Sequence, residues 1–244
     1  MDAYDYESLA DRVILVTGGG RGLGAAICKL LAQEGAQVAV VDVNRISSSK
    51  VADEINQTGG AAHAFTMDVT DEQAIIEVLQ RTVDQCGRLD AIVNNAGVDV
   101  TIGIREMETS DWHRVLATNL TGPFLLAKHG LAHMSSGGHI VNIASTAARR
   151  AWPNASAYHA SKWGLMGLTH ALHAELRVMG IKVSAVIAGG MRTPFLLDRF
   201  PDIDVDLLQD PDNVARAVKF VLTQPAQTVI PEVMVLPMKE TSWP

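Results

Sequence analysis

The stretch RVILVTGGGRGLG, residues 12–24, decides the fold. Its first half is apolar without alternation, the pattern of a strand covered on both faces. Its second half, TGGGRGLG at 17–24, lets the backbone turn sharply and approach a ligand closely, where a Cβ would clash. The helix that follows, GAAICKLLAQEG ending at Gly35, opens with free N–H groups and the positive end of its dipole, a setting that suits a pyrophosphate. A glycine-rich string alone is a weak signal. Here a strand precedes it, a helix follows it, and the second strand, AQVAVVDVN, ends in the acidic Asp42, which makes the signal strong. Gly18, Arg21, Gly22, Leu23 and Gly24 are therefore expected around the phosphates of a dinucleotide.

The alternation of short apolar runs and helical patterns continues. SSSKVADEINQTGG reads as a helix, AAHAFTMDV as a third strand and DEQAIIEVLQRTVDQCG as a helix ending at a glycine. LDAIVNNAG is a fourth strand. One long helix is expected over SDWHRVLATNLTGPFLLAKHGLAHM, then the strand GHIVNIAS, the helix NASAYHASKWGLMGLTHALHAEL and the strand KVSAVIAGG. A helix from about 212 to 222 and a strand near EVMVLPM close the chain. Strands that are apolar throughout and separated by helices predict a mostly parallel sheet buried on both faces. Glycines after helices and Asp or Ser before them supply the stops and starts. With no repeat, low-complexity tract or long linker, residues 1–244 read as a single doubly wound α/β domain.

Composition narrows the function. Hydrophobic residues make up 48% of 244, enough for one core covered on both sides, and a net charge of −7 without a basic block argues against nucleic-acid binding. Cys28 and Cys86 stand far apart with no C-x-x-C, which indicates neither a disulfide framework nor a zinc site. The start, MDAYDYESLADR, lacks the basic and apolar regions of a signal peptide, and no apolar run is long enough for a membrane span. The expectation is a soluble cytoplasmic protein.

Asp42 bears on the choice of dinucleotide. Its carboxylate can accept hydrogen bonds from the adenosine ribose hydroxyls and would repel a 2′-phosphate, so NAD is favoured over NADP. Arg21 or Arg45 could instead meet a 2′-phosphate. Asp68, with Val69 beside it, can hydrogen-bond the adenine or cap the next helix. NNAG at 94–97 brings Asn95, Ala96 and Gly97 to a turn where backbone passes close to the cofactor.

YHASK, residues 158–162, opens a helix with a tyrosine and a lysine four residues apart, on one face. A free phenol with a pKa near 10 is a poor base at neutral pH, and a nearby ammonium favours the phenolate. Taken with the glycine pattern and the NNAG turn, the chain from about 12 to 193 resembles the short-chain dehydrogenase/reductase family, whose domain is a Rossmann fold. That resemblance implies Tyr158 and Lys162 as the catalytic core and Ser145, thirteen residues before the tyrosine, as the third member. Asn119, in the preceding long helix, is the fourth. Tyr158 then exchanges a proton with the substrate oxygen while hydride passes to or from the nicotinamide. Ser145 stabilises charge on that oxygen, Lys162 also holds the nicotinamide ribose, and Asn119 orders a water that relays protons to solvent.

Two regions depart from the family. In VIAGGMRT, 186–193, Ala188 stands where the family usually has proline, with some loosening of the nicotinamide pocket expected. Gly189 and Thr193 remain, and Thr193 can bind the carboxamide. The end of the chain, IPEVMVLPMKETSWP, suggests an edge or interface strand between Pro231 and Pro237.

The segment of about 190–211 is where the family places its substrate loop. Met191, Phe195, Leu196 and Leu197 suggest an apolar wall, with Trp152 adding a flat surface. Arg149 and Arg150 could bind an acidic substrate, although adjacent arginines on a loop are more often simply solvated. His129 and His133 read as surface or interface residues rather than metal ligands, and His159 as pointing away from the site. The faces around Phe124 and Met166 can pack within the core or against a second subunit. The leading reading is an NAD-dependent oxidoreductase acting on a secondary alcohol or ketone, as a homodimer or homotetramer. The alternatives are an NADP-preferring carbonyl reductase, an epimerase with tightly bound NAD, and a dinucleotide sensor without turnover.

Overall fold

The structure, a computed structural model, describes residues 8–240, so the first seven residues of the acidic N-terminal stretch and residues 241–244 of the C-terminal one lie outside the described residues. The chain begins with β1 (Val13–Thr17), α1 (Gly22–Gln33), β2 (Gln37–Asp42), α2 (Arg45–Gln57), β3 (Ala61–Thr66), α3 (Glu72–Cys86) and β4 (Ala91–Asn94). It continues with α4 (Thr109–Leu116), α5 (Gly122–Gly130), β5 (His139–Ser145), α6 (Ser156–Leu176) and β6 (Lys182–Ala188). The short α7 (Pro194–Leu197), then α8 (Pro211–Leu222) and β7 (Glu232–Val235), complete it. All seven strands run parallel in the order β3-β2-β1-β4-β5-β6-β7. The single doubly wound domain expected from the sequence is the one observed.

The continuous apolar runs follow from this arrangement. Successive strand residues point to opposite faces, so Ile14 and Val16 of β1 join Ile27 and Leu31 of α1 and Val214 and Val218 of α8. Leu15, between them, faces the other layer with Ile75 and Leu79 of α3 and Leu126 of α5. Each such side chain contributes roughly 1.5–3 kcal/mol on burial, and both faces of the sheet must be apolar to collect it. Asn44 caps α2 by accepting from the Ile46 and Ser47 amides at 3.0 and 3.2 Å, which starts that helix two residues before the expected Ser47. Asp71 caps α3 in the same way.

The long helix expected over 110–134 is interrupted. Between α4 and α5, Ala117–Thr121 form a π-helical turn. Pro123 has no N–H to donate to the carbonyl four residues back, and in a regular α-helix its ring would collide with it; that carbonyl belongs to Asn119, inside the widened turn. β7 is an edge strand, paired with β6 alone and half-buried along its length. Ala188 is paired on both sides, with Ser145 of β5 and Val235 of β7, so strand pairing holds the segment where a proline ring would. Met166 belongs to the core with Ala144, Ala148 and Ile187, whereas Phe124 is exposed. Among the described residues, no helix is long and apolar enough to cross a membrane.

His139 begins β5 in full burial. Ser184 Oγ donates to the Ile230 carbonyl at 2.7 Å, so His139 Nε2–H donates to Ser184 Oγ at 2.8 Å. Burial, followed by the nearby positive Lys182 and Arg12, pushes the imidazole pKa down to about 3. Between that value and the 6.5 of an unfolded chain, only the unfolded state binds the proton, so stability falls as pH falls through this window. Urea unfolding of the wild type should lose up to about 1.4 kcal/mol per pH unit from this group between pH 6.5 and 4. His139→Gln, which can still donate to Ser184, should flatten that dependence.

Candidate active site

Strands that run parallel end together, and their C-terminal ends form one side of a cavity of about 1410 Å³. That exceeds the usual 300–1,000 Å³ of a single small-molecule pocket and leaves room for a dinucleotide and a second molecule. The strand order reverses between β1 and β4, the point where open α/β sheets leave a crevice. Every residue assigned from the sequence to catalysis or to the dinucleotide lines this cavity except Asn119, which lies just behind it.

At one end, Gly18 has φ +63° and its carbonyl packs against Gly24, where a Cβ would fall 1.9 Å from that oxygen. The tips of β1 and β4 are stitched together. Asn95 Nδ2 donates to the carbonyls of Thr17 and Gly18 at 2.9 and 3.1 Å, and Thr17 Oγ1 accepts from the Asn95 and Ala96 amides at 3.0 and 3.1 Å. Asp42 accepts from Gly20 N with one oxygen and from Asn44 N with the other, at 3.0 and 2.9 Å, which keeps further lone pairs for a ligand. Asp68 accepts from the Thr70 amide and hydroxyl, both at 2.8 Å; it shapes the turn, and the capping is done by Asp71. Val69 is buried behind it. Arg45 lies on the outer groove of α2, away from the cavity, and Arg21 pairs with Asp198 at 3.4 Å. This cradle fits the diphosphate and ribose of a nicotinamide dinucleotide.

At the other end, Tyr158 and Lys162 project from the first turns of α6. The Lys162 ammonium lies 5.7 Å from the centroid of the Tyr158 ring and donates to the Ile143 carbonyl at 2.8 Å. Ser145, the last residue of β5, accepts from Ala147 N at 3.2 Å. The amide of Asn119 exchanges two 2.8 Å hydrogen bonds with the backbone of Val98 and donates to Ser161 Oγ at 3.0 Å. Ser161 in turn donates to the Tyr158 carbonyl at 2.8 Å. Asn119 therefore ties the loop after β4 to the first turn of α6. A Cβ on Gly97 would stand 3.4 Å from Asn119 Oδ1 and 3.9 Å from Lys162 Nζ, which places both beside that glycine.

Burial sets the charge states. It pushes the Tyr158 phenol up to about 12, opposed by the Ser145 hydroxyl, reinforced by the negative Asp99 and opposed again by Arg199. It pushes Lys162 down to about 8, against the pull of Asp99. The net lowering of the phenol expected from its lysine is not found: desolvation dominates, and the groups that act against it are Ser145 and Arg199.

Several residues differ from their sequence reading. His159 is buried: its Nε2 accepts from Trp152 N at 3.1 Å, so Nδ1–H donates to the Ala147 carbonyl at 2.8 Å, and Trp152 packs edge-on against its ring. It braces the loop between Ser145 and Tyr158. Arg149 pairs with Glu232, and Arg150 pairs with Glu240 at 3.3 Å while stacking over Trp152, so neither is simply solvated. His129 is held by Glu72 at 2.6 Å. Met191, Phe195, Leu196 and Trp152 line the cavity as expected, and Leu197 does not. The segment 190–209 is closed at its base by reciprocal backbone bonds, Arg192 N to Gln209 O and Gln209 N to Gly190 O, at 2.9 and 3.1 Å. Asp99 and Arg199, missed in the sequence, form an ion pair in the wall.

Comparison with known proteins agrees with this geometry. The short chain dehydrogenase family model matches residues 12–204, and the chain belongs to that family of oxidoreductases. It is 34% identical, over 92% of its length and 94% of the relative's, to a cis-4-hydroxycyclohexanecarboxylate dehydrogenase of Sinomonas cyclohexanicum. Among solved structures, a dehydrogenase/reductase from Sinorhizobium meliloti 1021 superposes with TM-score 0.88 at 33% identity, covering 97% of this chain and 98% of that one. A metagenomic short-chain oxidoreductase in complex with NADP superposes with TM-score 0.81 at 34% identity, covering 94% and 99%.

Gly24→Ala should force the Gly18 carbonyl aside. We expect a loss of about 1–3 kcal/mol in urea unfolding, together with a smaller rise in melting temperature on adding dinucleotide than the wild type gives.

Proposed function

We propose that the protein is an NAD-dependent dehydrogenase of secondary alcohols, with Tyr158 as general acid and base. The observation that carries this reading is the convergence of Ser145, Tyr158 and Lys162 on one end of a cavity whose other end is the glycine cradle and Asp42. A bound nicotinamide dinucleotide supplies the acceptor or donor of hydride. Gly18, Arg21, Gly22, Leu23 and Gly24 would hold its diphosphate, Asp42 its adenosine ribose, and Asp68 and Val69 its adenine. Asn95, Ala96 and Gly97 would pass along it, with Gly189 and Thr193 at the carboxamide.

In alcohol oxidation Tyr158 takes the hydroxyl proton, and in reduction it returns one. The Ser145 hydroxyl donates to the same substrate oxygen and stabilises the charge that develops there. Lys162, still protonated at neutral pH with a pKa of about 8, favours the phenolate and holds the nicotinamide ribose. The positive charge of an oxidised nicotinamide acts in the same direction, against the desolvation that keeps the phenol protonated. Asn119 fixes the first turn of α6, and through it the phenol, and orders a relay water. The segment of 190–211 serves as the substrate loop, its apolar wall suiting a hydrocarbon body. The relative named for a hydroxylated cyclohexane acid supports a cyclic secondary alcohol. Association of identical chains, through the β7 edge or the exposed Phe124 face, belongs to the same reading.

The preference for NAD rests on Asp42, whose carboxylate would meet a 2′-phosphate with like charge. Reduction of NAD and NADP, followed by the absorbance of the reduced nicotinamide with a panel of cyclic and acyclic secondary alcohols, tests both parts. We expect faster turnover with NAD, and a fall of roughly 10²–10⁴-fold in kcat for Tyr158→Phe. Faster turnover with NADP would reverse the assignment of Asp42, and full activity in Tyr158→Phe would remove the tyrosine from the mechanism.

A further inference from the structure

The ion pair between Arg199 and Asp99 lines the cavity together with the apolar Met191, Leu196, Phe200 and Ile203, and the Thr101 hydroxyl donates to Asp99 Oδ2 at 3.5 Å. Asp99 follows the turn after β4, and its side chain is 8% exposed; Arg199 follows α7, and its side chain is 23% exposed. The guanidinium is fixed on three sides. Its Nη1 pairs with Asp99 Oδ2, its Nε donates to the Phe195 carbonyl at 2.8 Å, and its carbon lies 4.1 Å from the centroid of the Phe195 ring. Phe195 packs in turn against the Tyr158 ring, with centroids 6.0 Å apart. Among the described residues, Nη2 of Arg199 has no acceptor.

A guanidinium kept partly desolvated loses hydration that one carboxylate restores only in part. A planar fork with unspent donors matches a second carboxylate, and because it is already immobilised, little entropy is lost when one binds. The charges at this end also leave room for one. Lys162 and Arg199 outnumber Asp99, and an oxidised nicotinamide adds another positive charge. The other arginines and lysines of the cavity are worse placed: Arg21 pairs with Asp198 beside the glycine cradle, Arg114 is half exposed and pairs with Asp111 at 2.9 Å, Arg150 is engaged by Glu240 and Trp152, and Lys239 is exposed at the rim.

We propose that Arg199, held in place by Asp99 and Phe195, recognises a carboxylate on the substrate, which is therefore a hydroxy acid with an apolar body between its secondary hydroxyl and its carboxylate. This deepens the dehydrogenase reading and rests on it. The Phe195 ring, lying between Arg199 and Tyr158, is the surface against which that body packs.

Calorimetric titration of the full chain with cyclohexanecarboxylate and with the neutral, isosteric cyclohexanecarboxamide tests this, with and without NADH. Neither ligand carries an oxidisable hydroxyl, so the result does not depend on turnover; failure of the dehydrogenase reading appears separately, as absence of nicotinamide reduction. The wild type and Tyr158→Phe should both bind the carboxylate at least tenfold more tightly than the carboxamide. In Arg199→Met that ratio should fall to within twofold of one, and Arg199→Lys should recover part of it. The proposal is overturned by a wild type without the preference or without binding of either ligand, or by an Arg199→Met that keeps the preference. An equal weakening of both ligands in Arg199→Met, with the ratio intact and a lower melting temperature, would reduce the pair to a latch for the loop and overturn it as well.

Discussion

Seven strands pointing the same way impose a constraint from which the rest of the molecule follows. A parallel sheet needs a crossover after each strand, the helical crossovers cover both faces, and the covered faces must be apolar. Polar groups that act on a ligand are then left with the ends of the strands. Asp42 and Ser145, which line the cavity, are each the last residue of a strand, as are Thr17 and Asn94 buried just beneath it, and the loops that follow β1, β4, β5 and β6 close around one cavity. The hydrogen bonds of Thr17 and Asn95 across the tips of β1 and β4 hold that edge together where the strand order reverses.

Behind this edge, the site is built from groups that burial disfavours in their charged forms. Tyr158 and Lys162 are both nearly inaccessible, and desolvation drives the phenol's pKa up and the ammonium's down, bringing the two away from an ionised pair. Asp99 pulls both upward, so the acid of the loop after β4 keeps the lysine charged while making the phenolate harder to form. The reactivity of such a pair depends on what enters the cavity. Within the protein itself, the Ser145 hydroxyl and the Arg199 guanidinium are the groups that pull the phenol the other way.

The fold was legible because burial on both faces leaves a signature that does not need alternation: β1, β2, β5 and β6 are apolar runs, and Asp71 and Gly87 mark where α3 begins and ends. The cavity-lining residues were legible because they sit at fixed distances from those strand ends. What was hidden depends on distant pairs. Asp99 and Arg199 are a hundred residues apart, and nothing local in VDVT or LLDRF indicates that they meet. His159 looked idle because its neighbour Tyr158 took the obvious face of the helix, yet α6 begins against the loop after β5, so the adjacent face is enclosed as well. Met166 was open to either a core or an interface role, and only the packing of α6 on β5 and β6 decides for the core. The interruption of the long helix had a visible signal in Pro123, whose effect falls on Asn119.

The π-helical turn over Ala117–Thr121 makes α4 and α5 a helix that holds one residue more than a regular one would over the same path. Deleting a residue there would restore the ordinary hydrogen-bond ladder and improve the helix taken by itself. It would also rotate α5 by about 100° about its axis relative to α4, turning Leu125 and Leu126 out of the core layer they share with α3. The segment is therefore fixed in length as well as in sequence: the local irregularity that presents the Asn119 amide to Val98 and Ser161 is also the spacer that keeps the downstream helix in phase with the sheet.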